Sequence, residues 1–421
     1  MISRIRKYFA LLGPGLITGA ADDDPSGIST YSVAGAAHGY SLLWLTLIST
    51  PMMAVIQGMC ARIAMVSGEG LAAVMRKRLP RGLTYALACL VIVANTFNVG
   101  ADIGGMAAAA NLVLPLPVDA FVFIFGIGLI VAQTYLPYET IARIFKWLTL
   151  TLFSYVVTAF VVRPPWPHVL LQFAVPRLYF NSAWLSTMVG VLGTTITPYL
   201  FYWQSTLMVE EEREEGKSTI RARRGTDEQS LRNMHEDVNS GMIFSNLVAF
   251  FIIVTTASTL WAHGRHDIAT AQQAAEALRP LAGRSAELLF AIGMVGTGIL
   301  AVPVLATSSA YVAAETFKFR EGLAEPLRRA PRFYTVIAVG ILIGVAMNLL
   351  HVDAIKALFW SAVLNGVAAV PLIGVIVWLA SSSRLMGKWT SSPLARAWGW
   401  GTFALMGGAT LGMFYFMVRG S

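Results

Sequence analysis

The sequence predicts an all-α, polytopic membrane protein, built as two inverted repeats of five spans plus an eleventh helix. Three observations predict it. Of 421 residues, 56% are hydrophobic and only 13% charged, against about 25% charged in a soluble domain. The apolar residues run in stretches long enough to cross a bilayer, about 20 residues each, separated by short basic patches. Two of these stretches, five spans apart, are interrupted halfway by proline. The net charge of +8 does not point to nucleic acid, because the basic residues lie in loops rather than on one soluble face.

The chain starts Met1-Ile-Ser-Arg4-Ile-Arg6-Lys7. This basic flank leads into the first span. No small-residue cleavage site precedes Asp22, so a signal peptide is not expected. Eleven spans follow, at roughly 10–37, 42–66, 84–113, 118–136, 143–162, 184–208, 241–262, 285–317, 333–350, 354–380 and 396–418. The chain 1–421 is read as a single transmembrane domain. Residues 10–162 form the first repeat, 184–380 the second, and 396–418 the eleventh span. With the N-terminus inside, 23 Lys and Arg residues fall in or beside inner loops and seven outside. That bias sets the orientation. It places the chain in a bacterial-type inner membrane, with the N-terminus cytoplasmic and the C-terminus outside. Residues 209–240, from Glu210-Glu-Glu-Arg213 to His235-Glu-Asp237, read as a charged cytoplasmic loop. The lipid bilayer is the expected surrounding and a monomer the expected state. Cys60 and Cys89 sit within apolar spans, which leaves neither a disulfide framework nor a zinc cluster.

Span 1 reads Gly13-Pro-Gly-Leu-Ile-Thr-Gly-Ala-Ala21-Asp22-Asp23-Asp24-Pro25-Ser-Gly27. At 1.5 Å per residue the chain meets this triplet near the midplane. Pro25 lacks an N–H and clashes with the preceding turn, and Gly27 is read as releasing φ. The helix is expected to unwind here, which only a protein-lined cavity tolerates. Span 6 breaks at Thr197-Pro198. Because five spans separate the breaks, the two helices run in opposite directions and the breaks face one another. Paired interrupted helices in matching positions are the best sequence pointer to a transporter's binding site.

Three carboxylates in the bilayer centre need neutralising, at roughly 2.5–3.5 kcal/mol each on insertion scales. No Lys or Arg lies deep in any span, so bound cations, protons or both are the expected partners. Consecutive residues do not share a face. Asp24 is therefore the expected direct ligand, together with the carbonyl of Ala21. Asp23 or Asp22 is a second ligand or proton acceptor. Asp102 of span 3, among small residues that permit close helix approach, is either a proton-route residue or a polar group bonded to a neighbouring helix. Asn365 of span 10 is open to a ligand or a structural role. All six histidines fall in loops or near span ends.

These motifs resemble the NRAMP family of proton-coupled divalent-metal transporters over most of the chain. Gly13-Pro14-Gly15 and Asp24-Pro25-Ser26-Gly27 stand where the family has Gly-Pro-Gly and Asp-Pro-Gly-Asn. Thr197-Pro198-Tyr199 stands for Met-Pro-His. The end of span 2, from Ala61-Arg62-Ile63 through Ser67-Gly68-Glu69-Gly70-Leu71-Ala72, and Asp102 in place of a span-3 glutamate extend the likeness. The resemblance implies a LeuT-like inverted-repeat fold and metal uptake. It implies Asp24 as ligand, carbonyl ligands at Ala21 and Thr194, and Thr197 at the position of a methionine ligand. Gly27 replaces an asparagine ligand and Tyr199 a histidine. Trading sulfur for oxygen favours harder ions. A magnesium-transporting branch of the family also lacks the methionine.

The expected function is thus a secondary importer of Mg2+, Mn2+ or Fe2+ by alternating access, with proton coupling as an option and no cofactor beyond the transported cation. The alternatives are a trivalent metal, or an amino acid or other organic solute, whose carboxylate three aspartates would repel. Enzyme motifs are absent: there is no His-Glu-x-x-His, nucleophile elbow or phosphate loop.

Overall fold

A computed structural model describes residues 18–19, 21–136, 150–323, 325–350 and 352–420. Among them there are helices and no strand. In chain order the main helices are α1 (Pro25–His38), α2 (Leu43–Ser67), α3 (Leu71–Arg78), α4 (Arg81–Asn111), α5 (Val118–Tyr135), α6 (Phe153–Val162) and α7 (Trp166–Ala174). There follow α8 (Ser182–Thr195), α9 (Pro198–Glu214), α10 (Glu228–Thr259), α11 (Ala286–Phe317), α12 (Pro331–Asn348), α13 (Ala354–Ala380) and α14 (Pro393–Arg419). Eight of these positions carry helices long and apolar enough to span a membrane. The broken pair and α6 account for the other three expected spans. Residues 10–17 of span 1 and 143–149 of span 5 lie outside the described residues.

Burial separates centre from periphery. The apolar windows of α2, α4, α10, α11 and α13 are mostly buried, whereas those of α5, α12 and α14 mostly face outward. Side chains such as Ile127, Leu342 and Leu411 stand on that outer surface, as the hydrocarbon requires. The eleventh span is peripheral: α14 packs on α2, α8 and α13. At the centre, α1 touches α4, α8, α10, α11 and α13, and small residues allow this crowding. Gly100 of α4 lies against Gly344 of α12, and Asn348 donates from Nδ2 to the Gly100 carbonyl at 2.7 Å. A Cβ at Gly193 of α8 would overlap the Ala362 carbonyl and the Gly366 amide of α13. Gly193→Val is therefore expected to lower the thermal midpoint of the detergent-purified protein by several degrees, since overpacking costs roughly 1–3 kcal/mol. An unchanged midpoint would show that the two helices part easily.

Both breaks use one device. Asp24 (φ −69°, ψ 171°) and Thr197 (φ −93°, ψ 138°) are extended, and each is followed by a proline at the first helical position. The ring of a proline pushes its predecessor out of the helical region, and its missing N–H is no loss at a helix start. Upstream, Thr18, Gly19, Ala21 and Asp22 are helical.

Two expectations need correcting. Gly27 does not release φ, because it lies inside α1 with no positive φ. Pro25 and Asp24 suffice to start the helix, and Gly27 instead leaves room for Thr194, whose hydroxyl would sit 3.0 Å from a Cβ there. Residues 209–240 are not a plain loop: α9 continues to Glu214 and α10 begins at Glu228. Asp227 caps α10 by accepting from the Ser230 amide, so a charged sequence extends both helices beyond their apolar spans.

Candidate functional site

The Asp24 carboxylate is buried and serves first as the N-cap of α1. Its Oδ1 accepts from the Gly27 amide at 2.6 Å and from the Ser26 hydroxyl at 2.7 Å. Its Oδ2 accepts from Asn98 Nδ2 of α4 at 3.0 Å. Asp102, one turn along α4, accepts the Ser26 amide on Oδ1 at 3.2 Å. Its Oδ2 is buried and takes no hydrogen bond among the described residues. The structure thus places Asp102 beside the span-1 break.

Asp22 and Asp23 turn elsewhere. Ser245 of α10 lies with its Oγ 2.6 Å from Asp22 Oδ2 and 3.2 Å from Asp23 Oδ1. One hydroxyl has one proton and can satisfy only one of them as a donor. Asp22 Oδ1 and Asp23 Oδ2 are buried without partners among the described residues. The described residues hold no ready cage of three or more Asp, Glu, His or Cys groups. The triplet is divided between α4 and α10.

The two breaks meet. Tyr199, just past the span-6 break, donates its hydroxyl to the Ala21 carbonyl at 2.9 Å. Its own carbonyl accepts from Ser308 of α11 at 2.8 Å. A carbonyl oxygen has two lone pairs, and this bond uses one of them. Thr194 faces Gly27, as described above. Thr197 Oγ1 and Asn365 Oδ1 are buried with no hydrogen bond among the described residues. Asn365 is carried by α13 beside the Gly193–Gly366 contact with α8. Among the described residues, His38 and His235 are engaged elsewhere: His38 Nε2 pairs with Thr187 Oγ1 and His235 Nε2 with Arg62.

Electrostatically the centre is one-sided. Asp22, Asp23, Asp24 and Asp102 are each 0–1% exposed, and none takes part in the ion pairs found among the described residues, which lie at helix ends and loops. Sequence reading missed Asn98 and Ser245 as partners of these acids. Their signal was present. Asn95, Asn98 and Asp102 recur at helical spacing on one face of α4, and Ser245-Asn246 interrupts an apolar run of α10.

Away from the breaks, a cavity of about 860 Å3 opens between α3, α9, α11 and residues 318–329. Its wall is a charged network. Arg213 binds Glu210 at 2.8 Å and lies 3.6 Å from Glu321. Tyr311 donates to Glu210 at 2.9 Å, and the buried Glu315 accepts from the Ala73 amide at 2.9 Å. Burial pushes the Glu321 carboxyl up to about 7, against the opposing pull of Arg213. A raised carboxylate pKa means the folded state binds the extra proton, so this stability is full at low pH and fades as pH rises through about 7. Glu321→Gln is expected to flatten the fall in thermal midpoint between about pH 5 and 7. An unchanged slope would remove Glu321 as its source.

With this geometry in place, comparison with known proteins is direct. Residues 15–416 match the family described as natural resistance-associated macrophage protein-like, Nramp. A divalent metal cation transporter, MntH, of Agrobacterium fabrum is 29% identical over 337 residues, covering 78% of this chain and 70% of the relative. The manganese transporter of Eremococcus coleocola, solved with an aromatic bis-isothiourea compound, superposes with a TM-score of 0.77 at 19% identity, over 98% of this chain and 86% of that one. MhsT, solved with L-phenylalanine, superposes at 0.58 and 10% identity, over 96% and 97%. The last two likenesses concern the fold, which is LeuT-like. The match over nearly the whole length, on helices broken at Asp24-Pro25 and Thr197-Pro198, makes this chain a member of the Nramp family.

Proposed function

We propose that this protein is a secondary transporter that carries a divalent metal cation across the membrane, bound at the junction of the two helix breaks. One observation carries the reading: four fully buried carboxylates surround the break, and no cationic side chain among the described residues pairs with any of them. Charges in so dry a setting demand a counter-ion, and a transported cation supplies it. The names of the Agrobacterium fabrum and Eremococcus coleocola relatives support the same class, and a transporter rather than an enzyme.

Asp24 Oδ2 is the anionic ligand. The Ala21 and Thr194 carbonyls, the Thr197 hydroxyl and Asp23 are the oxygens proposed to complete the shell. An all-oxygen set suits Mg2+, Mn2+ or Fe2+ above softer ions. Asp22, Asp102, Tyr199 and Asn365 act around the ion, Asp22 and Asp102 as proton acceptors and Tyr199 by holding the two breaks together. Alternating access follows if the half-helices rock about the breaks, with the N-terminus cytoplasmic and a monomer as the working unit in an inner membrane.

The test is calorimetric titration of the purified protein with Mg2+, Mn2+, Fe2+ and Ca2+, followed by uptake into proteoliposomes. Saturable binding of at least one ion and its uptake are expected. Failure of all four to bind would overturn the reading and bring organic solutes or trivalent metals forward.

A further inference from the structure

The amide of Asn98 is half used. Its Nδ2 donates to Asp24 Oδ2 at 3.0 Å. A carboxylate only accepts hydrogen bonds, so this contact sets which end of the amide faces Asp24. The other end, Oδ1, is fully buried and takes no hydrogen bond from any described residue. Buried amide oxygens are normally satisfied, and one left open beside a buried carboxylate invites a ligand.

Its position is informative. Asp24 Oδ1 is already engaged by the Ser26 hydroxyl and the Gly27 amide. Among the described residues Oδ2 receives only Asn98, so Oδ2 is the oxygen with coordination capacity to spare. The open oxygen of Asn98 belongs to the very amide that touches Oδ2. On α1 itself, Gly27 offers no side-chain oxygen, and a Cβ at that position would crowd Thr194 Oγ1 at 3.0 Å. An amide oxygen near Asp24 therefore has to come from another helix, and α4, which packs against α1, provides it. The neighbouring Asn95, one turn away on the same face, is held by its own amide to Ser309 Oγ of α11 at 3.0 Å. Among the described residues, Asn98 is the amide hydrogen-bonded to Asp24.

We propose that Asn98 Oδ1 is a direct ligand of the transported divalent cation, which makes α4 a third element of the binding site alongside the two breaks. A small, hard cation takes neutral carbonyl oxygens readily once one or two carboxylates supply charge. The amide would then serve twice, its nitrogen orienting Asp24 and its oxygen meeting the ion. This inference rests on the proposed function above and extends it to a residue on a different helix.

The experiment is calorimetric titration of the full-length protein in detergent with MnCl2 and MgCl2, comparing wild type, Asn98→Leu and Asn98→Asp, with the ion-free thermal transition as the folding control. Asn98→Leu keeps the volume and removes both polar ends; its affinity is expected to fall tenfold or more. Asn98→Asp keeps an oxygen and gives up the donor; it is expected to bind both ions at least as tightly as wild type. If Asn98 only orients Asp24, Asn98→Asp loses that hydrogen bond and sets a like charge against it, and binding falls as it does in Asn98→Leu. That outcome overturns the proposal, and so does wild-type affinity in Asn98→Leu. Should Asn98→Leu fail to fold, Asn98→Asp alone decides in the same way. A wild type that binds neither ion would instead strike the parent reading of the site, and is thereby distinguishable.

Discussion

Asp24→Ala is expected to abolish divalent-cation binding while leaving the ion-free protein folded. The carboxylate has two jobs, and they separate cleanly. As N-cap of α1 it satisfies the Gly27 amide, a contribution of about 1 kcal/mol. As a buried charge with no cationic partner among the described residues it destabilises the ion-free protein, since taking a charge out of water costs free energy. Removing it therefore costs a cap and relieves a charge, and the ion-free thermal midpoint should change little. Binding is another matter. Asp24 is the carboxylate that lies between the break and α4, and a shell that loses one of its two proposed carboxylates holds a hard dication poorly. Affinity should fall by at least about 100-fold, or about 2.7 kcal/mol. Asp24→Asn sharpens the test, because its amide oxygen can still cap the helix. Calorimetry on both variants should show binding lost in each. Wild-type affinity in Asp24→Asn would mean that Asp24 is not a ligand, and would move the ion toward Asp22 and Asp23, which face Ser245 of α10.

The second large effect concerns selectivity. Thr197→Met is expected to weaken Mg2+ binding and strengthen Cd2+ binding, moving their affinity ratio by tenfold or more. Thr197 precedes Pro198 in extended backbone and makes no side-chain cap for α9. Its Oγ1 is buried without a hydrogen bond among the described residues. Replacing it thus sacrifices no internal bond, although the longer side chain must find room at the junction. Sulfur in place of oxygen favours softer ions. Competition between Mg2+ and Cd2+ in proteoliposome uptake reads the ratio directly. A ratio unchanged by the substitution would mean that residue 197 does not face the ion.

The helical membrane architecture and the places where it breaks were legible because their causes are local. About 20 apolar residues in a row are a matter of composition, and an X-Pro pair biases its first residue toward the extended backbone that Asp24 and Thr197 adopt. The spacing of the two breaks, five spans apart, is also a count along the chain. Gly27 departs from its local expectation: glycine permits unusual φ, but permission is not use, and the residue lies inside α1 with no positive φ. The charge of residues 209–240 excludes them from the bilayer but does not make them a loop; helices that continue into water through Glu214 and from Glu228 obey the same constraint.

By itself the sequence determined the apolar spans, the paired breaks and the presence of uncompensated acid at the first of them. It could not decide how the three adjacent aspartates divide. Tertiary packing alone sends Asp24 toward Asn98 on α4 and turns Asp22 and Asp23 toward Ser245 on α10. Tyr199 closes on the Ala21 carbonyl from 178 positions away. Hydrophobic periodicity reports which face of a helix is buried, whereas a hydrogen bond between distant helices depends on their crossing and rotation, which are set by the backbone contacts of glycines such as Gly193 and Gly100.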